Sequence, residues 1–275
     1  MAIRGTGPIP PRCAKVVPMA TAVVLGYASE GFALAADGLE VEGEKETNWR
    51  LQKIFPVRGT SEGTSLAYAM MGDYGLGDRR DTTFKAVFDF SQAYADEMKA
   101  TNTDGFNSLH SYMNHISTCV GERLLSVCEV NPFIQFPSQE QIVTFFMVGY
   151  FSGKPERATA SFVYRNGDLG LEEVSPRPTE LGNRFYGSPV IEKMLDEDEA
   201  FRDQFQQVLP VARRHKSENV NLLIEEALRF IAACSSPEAK KRDPVNCKAI
   251  GGDPQVAIIT REDGFQWVPG FERGG

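Results

Sequence analysis

The sequence is short of the residues from which metal centres, disulfide frameworks and nucleic-acid surfaces are built. It has three histidines, and His110 and His115 stand five apart, so they do not share a helix face as ligands four apart would. Together with His215 they read as surface or structural residues. Five cysteines (Cys13, Cys119, Cys128, Cys234 and Cys247) are an odd number at irregular spacing, with no CxxC pair. That pattern argues against a disulfide scaffold or a zinc site and fits reduced thiols in a cytosolic protein. Trp49 and Trp267 are the only tryptophans and read as packing residues. A cationic surplus is missing too: the net charge is -8, which disfavours a nucleic-acid partner. No apolar run reaches the roughly 20 residues that cross a bilayer, so no membrane association is expected. The segment "GNRFYGSP" has two glycines but no phosphate-loop pattern. The acidic run 196–199 reads as a solvated helix end, with a divalent-cation site as the lesser alternative.

What is present is a globular composition, 42% hydrophobic over 275 residues, with no long linker. Residues 1–20 carry Pro8, Pro10 and Pro11 and no continuous apolar segment, so they read as an extended leader and a candidate propeptide. Residues 21–275 read as a single domain.

Apolar runs at 22–28 and 31–37 predict a hairpin turning at Ser29, Glu30 and Gly31. Strands are expected at 53–57 and 65–72, separated by the turn-rich 61–65. Their runs are apolar on both faces, as in a sheet covered on both sides. Helical spacing follows from Thr83 to Met98 and, more cleanly, from Leu109 to Val127. Strands are expected again at 142–150 and 158–165, the second ending at the tight turn Asn166-Gly167. Helices are expected at 188–209 and 219–234, and a closing hairpin at 255–268. Blocks of strands and helices, instead of regular alternation, predict two stacked antiparallel sheets with helix pairs outside.

Centring the first hairpin between Ser29 and Glu30 puts Thr21 opposite Gly38 and beside Asp37. Lys53, sixteen residues beyond Asp37, opens the next strand and is a cation able to reach both. A threonine hydroxyl needs a base, and the free α-amine of an N-terminal threonine is one known solution. A nearby ammonium favours the neutral amine, and an aspartate holds that ammonium charged and oriented. Gly72, ending "AYAMMG", is the candidate backbone donor for an oxyanion. Taken singly, each of these residues is ordinary for a strand end; their joint register points to a site.

"TAVVLGYASEGFALAAD", Gly43, Lys53 in "KIFPV", and "AYAMMGD" resemble proteasome β-subunits and HslV-type N-terminal nucleophile hydrolases. "YGSPVIEKML" and "AIGGDPQVAIITREDGFQWV" resemble later elements of that family, so the likeness spans about residues 21 to 268. It implies a four-layer αββα sandwich within the α+β class. It also implies Thr21 as nucleophile, Asp37 and Lys53 as its electrostatic support, Gly72 as oxyanion donor and Ser188 as a relay for the amine proton. Leu51, Phe55 and Met70 would line an apolar pocket for the residue before the scissile bond, or else belong to the core. No metal or organic cofactor is implied. Substrates would be peptides or unfolded protein, the assembly a homo-oligomeric ring, and an ATP-dependent unfoldase a conceivable partner. The sequence departs from the family at Ala20, at Ala22, and at Cys247 and Ile250, where the family has a supporting Asp and Ser; the loop before Gly72 is also longer. The leading expectation is a threonine-type peptidase acting after removal of residues 1–20. The alternatives are a catalytically inactive ring-forming subunit and an N-terminal nucleophile amidohydrolase acting on small amides.

Overall fold

The computed structural model describes residues 21–42, 45–48, 50–58, 61–78, 80, 86–136, 141–172, 174–177 and 179–272. The leader with Cys13 and Ala20, and Gly43, Trp49, Thr83 and Phe84, lie outside the described residues.

The opening hairpin is β1 (Val23–Ala28) and β2 (Gly31–Ala36). Short strands β3 (Glu40–Glu42), β4 (Lys45–Asn48) and β5 (Ile54–Pro56) lead to β6 (Ser65–Gly72), β7 (Gly75–Gly77) and β8 (Ala86–Asp89). Helices α1 (Phe90–Ala100) and α2 (Leu109–Val130) come next. Then follow β9 (Gln141–Phe151), β10 (Lys154–Arg165), β11 (Asp168–Leu171), β12 (Ser175–Arg177) and β13 (Gly182–Tyr186). Helices α3 (Pro189–Glu197), α4 (Glu199–Gln204), α5 (Glu218–Ser235), α6 (Pro237–Arg242) and α7 (Pro244–Cys247) precede the closing hairpin β14 (Gln255–Thr260) and β15 (Gly264–Trp267).

The fold is mixed α+β on antiparallel sheets. One sheet runs β13-β1-β2-β14-β15; another runs β11-β10-β9-β6-β5, with β12 also pairing β10. Alternation along β1 and β2 divides their side chains between two clusters. Val23, Leu25, Phe32 and Leu34 meet Ile54, Ala69, Phe146 and Val148 of the other sheet. Ala22, Val24, Ala33 and Ala35 pack with Ile224, Leu228 and Ile231 of α5. The far face of the second sheet, with Tyr68, Met70 and Phe145, packs on Tyr94 of α1 and on Met113 and Ile116 of α2. Strands buried on both faces explain the unbroken apolar runs.

The first hairpin pairs Val23 with Ala36 and Ala28 with Gly31, the register that a turn centred between Ser29 and Glu30 dictates. Elsewhere the elements depart from the sequence reading. Residues 86–89 form β8 instead of helix, because Leu76 pairs with Phe88 and because Asp89 caps α1 by accepting the N–H of Gln92. The helix expected over 188–209 is two: Asp198 ends α3, and its side chain accepts the N–H of Phe201 to start α4. Strand β13 and helices α6 and α7 carry no sequence expectation above. Both helices announce themselves as a capping residue followed by proline, Ser236-Pro237 and Asp243-Pro244. Among the described residues no helix is long and apolar enough to cross a membrane.

Candidate active site

The end of the first hairpin is extended by a reciprocal bond. Asp37 N–H donates to the Ala22 carbonyl at 3.1 Å, and Ala22 N–H donates to Asp37 Oδ1 at 2.9 Å. The other carboxylate oxygen, Oδ2, accepts from Gly251 N–H at 3.2 Å and from Leu39 N–H at 3.4 Å. Gly251 returns its carbonyl to the N–H groups of Gly38 and Leu39. Glycine 251 lies in the loop between α7 and β14, so Asp37 joins three chain segments.

Lys53 inserts its ammonium here. Its Nζ donates to Asp37 Oδ1 at 3.0 Å and to Thr21 Oγ1 at 3.3 Å. Thr21, Asp37 and Lys53 are respectively 3%, 0% and 1% exposed, so all three interact away from solvent. Burial pushes the Asp37 carboxyl above its ordinary range, while the Lys53 charge and the N–H donors of Ala22 and Gly251 pull against that. An ion pair at such depth persists because each carboxylate oxygen is also hydrogen-bonded.

The backbone of Lys53 is fixed from two sides. Its carbonyl accepts from Met70 N–H at 3.1 Å, continuing the β5–β6 ladder by one residue. Its N–H donates to the side-chain oxygen of Gln255 at 3.0 Å. The same oxygen accepts from Ile54 N–H at 3.4 Å, and the Gln255 amide nitrogen donates to the Leu51 carbonyl at 2.5 Å. Gln255, absent from the sequence-level site, had one signal: an amide opening the apolar run "QVAIIT".

Ser188 sits across from the hairpin. Strand β13 pairs Tyr186 with Val23, and the chain passes through Gly187, where a Cβ would lie 3.5 Å from Ala22 Cα, to reach Ser188. Ser188 caps α3 by accepting from Ile191 N–H at 3.2 Å, and its Oγ donates to Asp243 Oδ2 at 2.6 Å. Asp243 in turn caps α7. Desolvation opposes its charge, but hydrogen bonds from Ser188 and Asn246 leave its carboxyl below the ordinary value. The carboxylate that partners Ser188 is thus Asp243, four residues before Cys247. Cys247 and Cys234 are fully buried in one apolar cluster. Ile250 is buried in the cluster under α5.

Gly72 ends β6 two residues beyond Met70. It has φ +109°, and a Cβ there would lie 2.4 Å from the Ile142 carbonyl oxygen, so only glycine fits. Asp73 beside it is pushed up to about 6 by burial. Of the expected pocket residues, Met70 is fully buried in the cluster beneath α1 and α2. Phe55 packs on that cluster and stacks on Tyr68 with ring centroids 4.9 Å apart. Leu51 is half-buried. The structure therefore brings the Lys53 ammonium into contact with both Thr21 and Asp37, while Ser188 is bonded to Asp243 and Met70 and Phe55 serve the core.

No protein-family model and no curated protein matches this sequence. Solved structures similar to this chain include an Anbu (Gly-1) mutant from Hyphomicrobium sp. strain MC1, at 12% identity and a TM-score of 0.48, with 92% of this chain and 88% of that chain covered. Another is Anbu (ancestral beta-subunit) from Yersinia bercovieri, at 12% identity and a TM-score of 0.45, covering 90% and 86%. These findings overturn the proteasome β-subunit and HslV assignment drawn from the motifs: the structural neighbours belong to a distinct, proteasome-related family, and nothing supports HslV. At this identity they leave the chain without an assigned family.

Proposed function

We propose that this protein is a threonine-type amide hydrolase in which Thr21, once residues 1–20 are removed, attacks a peptide carbonyl. The observation that carries the reading is the buried ammonium of Lys53, which touches Thr21 Oγ1 and Asp37 Oδ1 together. The α-amine freed at Thr21 takes the hydroxyl proton as Oγ1 bonds to the carbonyl carbon. The proton then passes to the departing amine, and water cleaves the resulting ester to regenerate the hydroxyl. Lys53 opposes protonation of the α-amine and stabilises negative charge growing on Oγ1. The Ser188–Asp243 pair supplies an oriented hydroxyl beside the amine, and Gly72 is the candidate oxyanion donor. In this reading the helices flanking the two sheets make a four-layer αββα arrangement, the substrate is a peptide or unfolded polypeptide, and the assembly is a homo-oligomer.

A second reading, a non-catalytic subunit that keeps the ion pair as a structural element, draws on the burial of Thr21 itself. N-terminal sequencing together with an epoxyketone probe separates the two. A mature chain beginning at Thr21 and carrying the probe supports the hydrolase. An assembled, stable chain that retains residues 1–20 and takes up no probe sinks it. Native mass measurement reads the oligomer.

A further inference from the structure

Gln255 touches neither Thr21 nor Asp37 through its side chain, yet it belongs to the strand beside one and grips the strand of Lys53. On the main chain, β14 pairs Gln255 with Ala36, the residue before Asp37. From that point its side chain crosses to the other sheet. It accepts from the N–H groups of Lys53 and Ile54 and donates to the carbonyl of Leu51. It is 3% exposed, and its bonds to the N–H groups of Lys53 and Ile54 lie away from solvent, where a hydrogen bond is costly to lose. One amide therefore ties the segment that carries Lys53 to the strand end that carries Asp37. With Met70 N–H on the Lys53 carbonyl, both backbone polar groups of Lys53 are held, and its side chain departs from a fixed point.

We propose that Gln255 is a positioning residue: its side-chain amide sets where Lys53 stands between Asp37 and Thr21. A chemical consequence of this geometry is an asymmetry between replacements. Methionine keeps the length and loses all three bonds. Glutamate keeps the acceptor for Lys53 and Ile54, but when ionised it sets a carboxylate oxygen against the Leu51 carbonyl. Once protonated it regains a donor for that carbonyl and again resembles glutamine.

The role in catalysis rests on the hydrolase reading; the placement of Lys53 does not, and the test keeps them apart. The full chain, as wild type, Gln255→Met and Gln255→Glu, is trace-labelled with acetic anhydride, and the acetylation of Lys53 relative to exposed Lys193 is read by mass spectrometry. Lys53 is shielded in the wild type. Its ratio should rise about tenfold in Gln255→Met, the scale of one lost buried hydrogen bond. In Gln255→Glu it should be raised at pH 8 and return to the wild-type ratio as the pH falls through the new carboxyl's titration. Mere loss of stability gives no such reversal. An unchanged ratio in a folded Gln255→Met protein overturns the proposal. Should that variant fail to fold, a Gln255→Glu ratio that does not reverse overturns it equally. Epoxyketone labelling of Thr21, run in parallel, should slow by a similar factor. If the wild type takes no probe, the hydrolase reading falls, and the Lys53 ratio still decides the role of Gln255.

Discussion

Ser188 Oγ lies 2.6 Å from Asp243 Oδ2, and each residue also caps a helix, so one contact locks the start of α3 to the start of α7. Ser188 stands two residues beyond β13, whose Tyr186 pairs with Val23 at the start of β1.

Acid should weaken that lock. The Asp243 carboxyl is held below its ordinary value, so it contributes stability that is complete above the unfolded value near 3.8 and is lost as the pH falls through the lower folded value. Asp243→Asn should therefore destabilise the protein most at neutral pH, with the difference from wild type shrinking toward strongly acid pH. Urea unfolding of both proteins across that range measures it.

Breaking the buried ion pair should cost far more than removing it whole. Lys53→Met leaves the Asp37 charge buried beside three backbone donors, and Asp37→Leu strips a partner from Ala22, Leu39, Gly251 and Lys53. Each single change is expected to cost about 3–5 kcal/mol. The double variant should cost clearly less than the sum of the two, as a double-mutant cycle on unfolding free energies reads directly.

Asp73 should behave with the opposite sign to Asp243. Burial raises its carboxyl from 3.8 to about 6, so the folded chain holds this proton more tightly than the unfolded chain does. Stability is then lost as the pH rises from about 3.8 through about 6 and stays lower above. Asp73→Asn should raise the melting temperature at pH 8 and leave it unchanged near pH 3.

Gly72→Ala should be disproportionately damaging. At φ +109° with the Ile142 carbonyl 2.4 Å from the new Cβ, the change should cost more than ~1 kcal/mol. Gly105→Ala, with nothing within 4 Å, is the control and should shift stability by a few tenths at most. Equal melting temperatures for the two variants would contradict the strained conformation at residue 72.

The part of this architecture that could be read from the sequence is the part governed by local period and turn chemistry. The hairpin register follows from where Ser29-Glu30 interrupts two apolar runs, and with it the proximity of Thr21 to Asp37. Spacing puts Lys53 at the start of the next strand; that its ammonium meets both residues is a tertiary contact. Gln255 and Asp243 were out of reach because what matters about them is a side chain meeting a segment 202 and 55 residues away. Strand β8 was hidden by a different cause. Val87 and Phe88 fit a helical stripe that tertiary pairing with Leu76 overrides. The family assignment failed for a third reason: short motifs at a strand end record the local chemistry of a site and leave relationship undetermined.

The carboxylate of Asp37 receives backbone N–H groups from the start of β1, from its own turn and from the loop before β14. It is a stitch through the frayed end of a sheet as much as a partner for a lysine. An inactive Asp37 variant would therefore report a loosened scaffold before it reported lost chemistry. Thr21→Ala, which leaves every one of those N–H groups with its acceptor, is the cleaner way to silence the site.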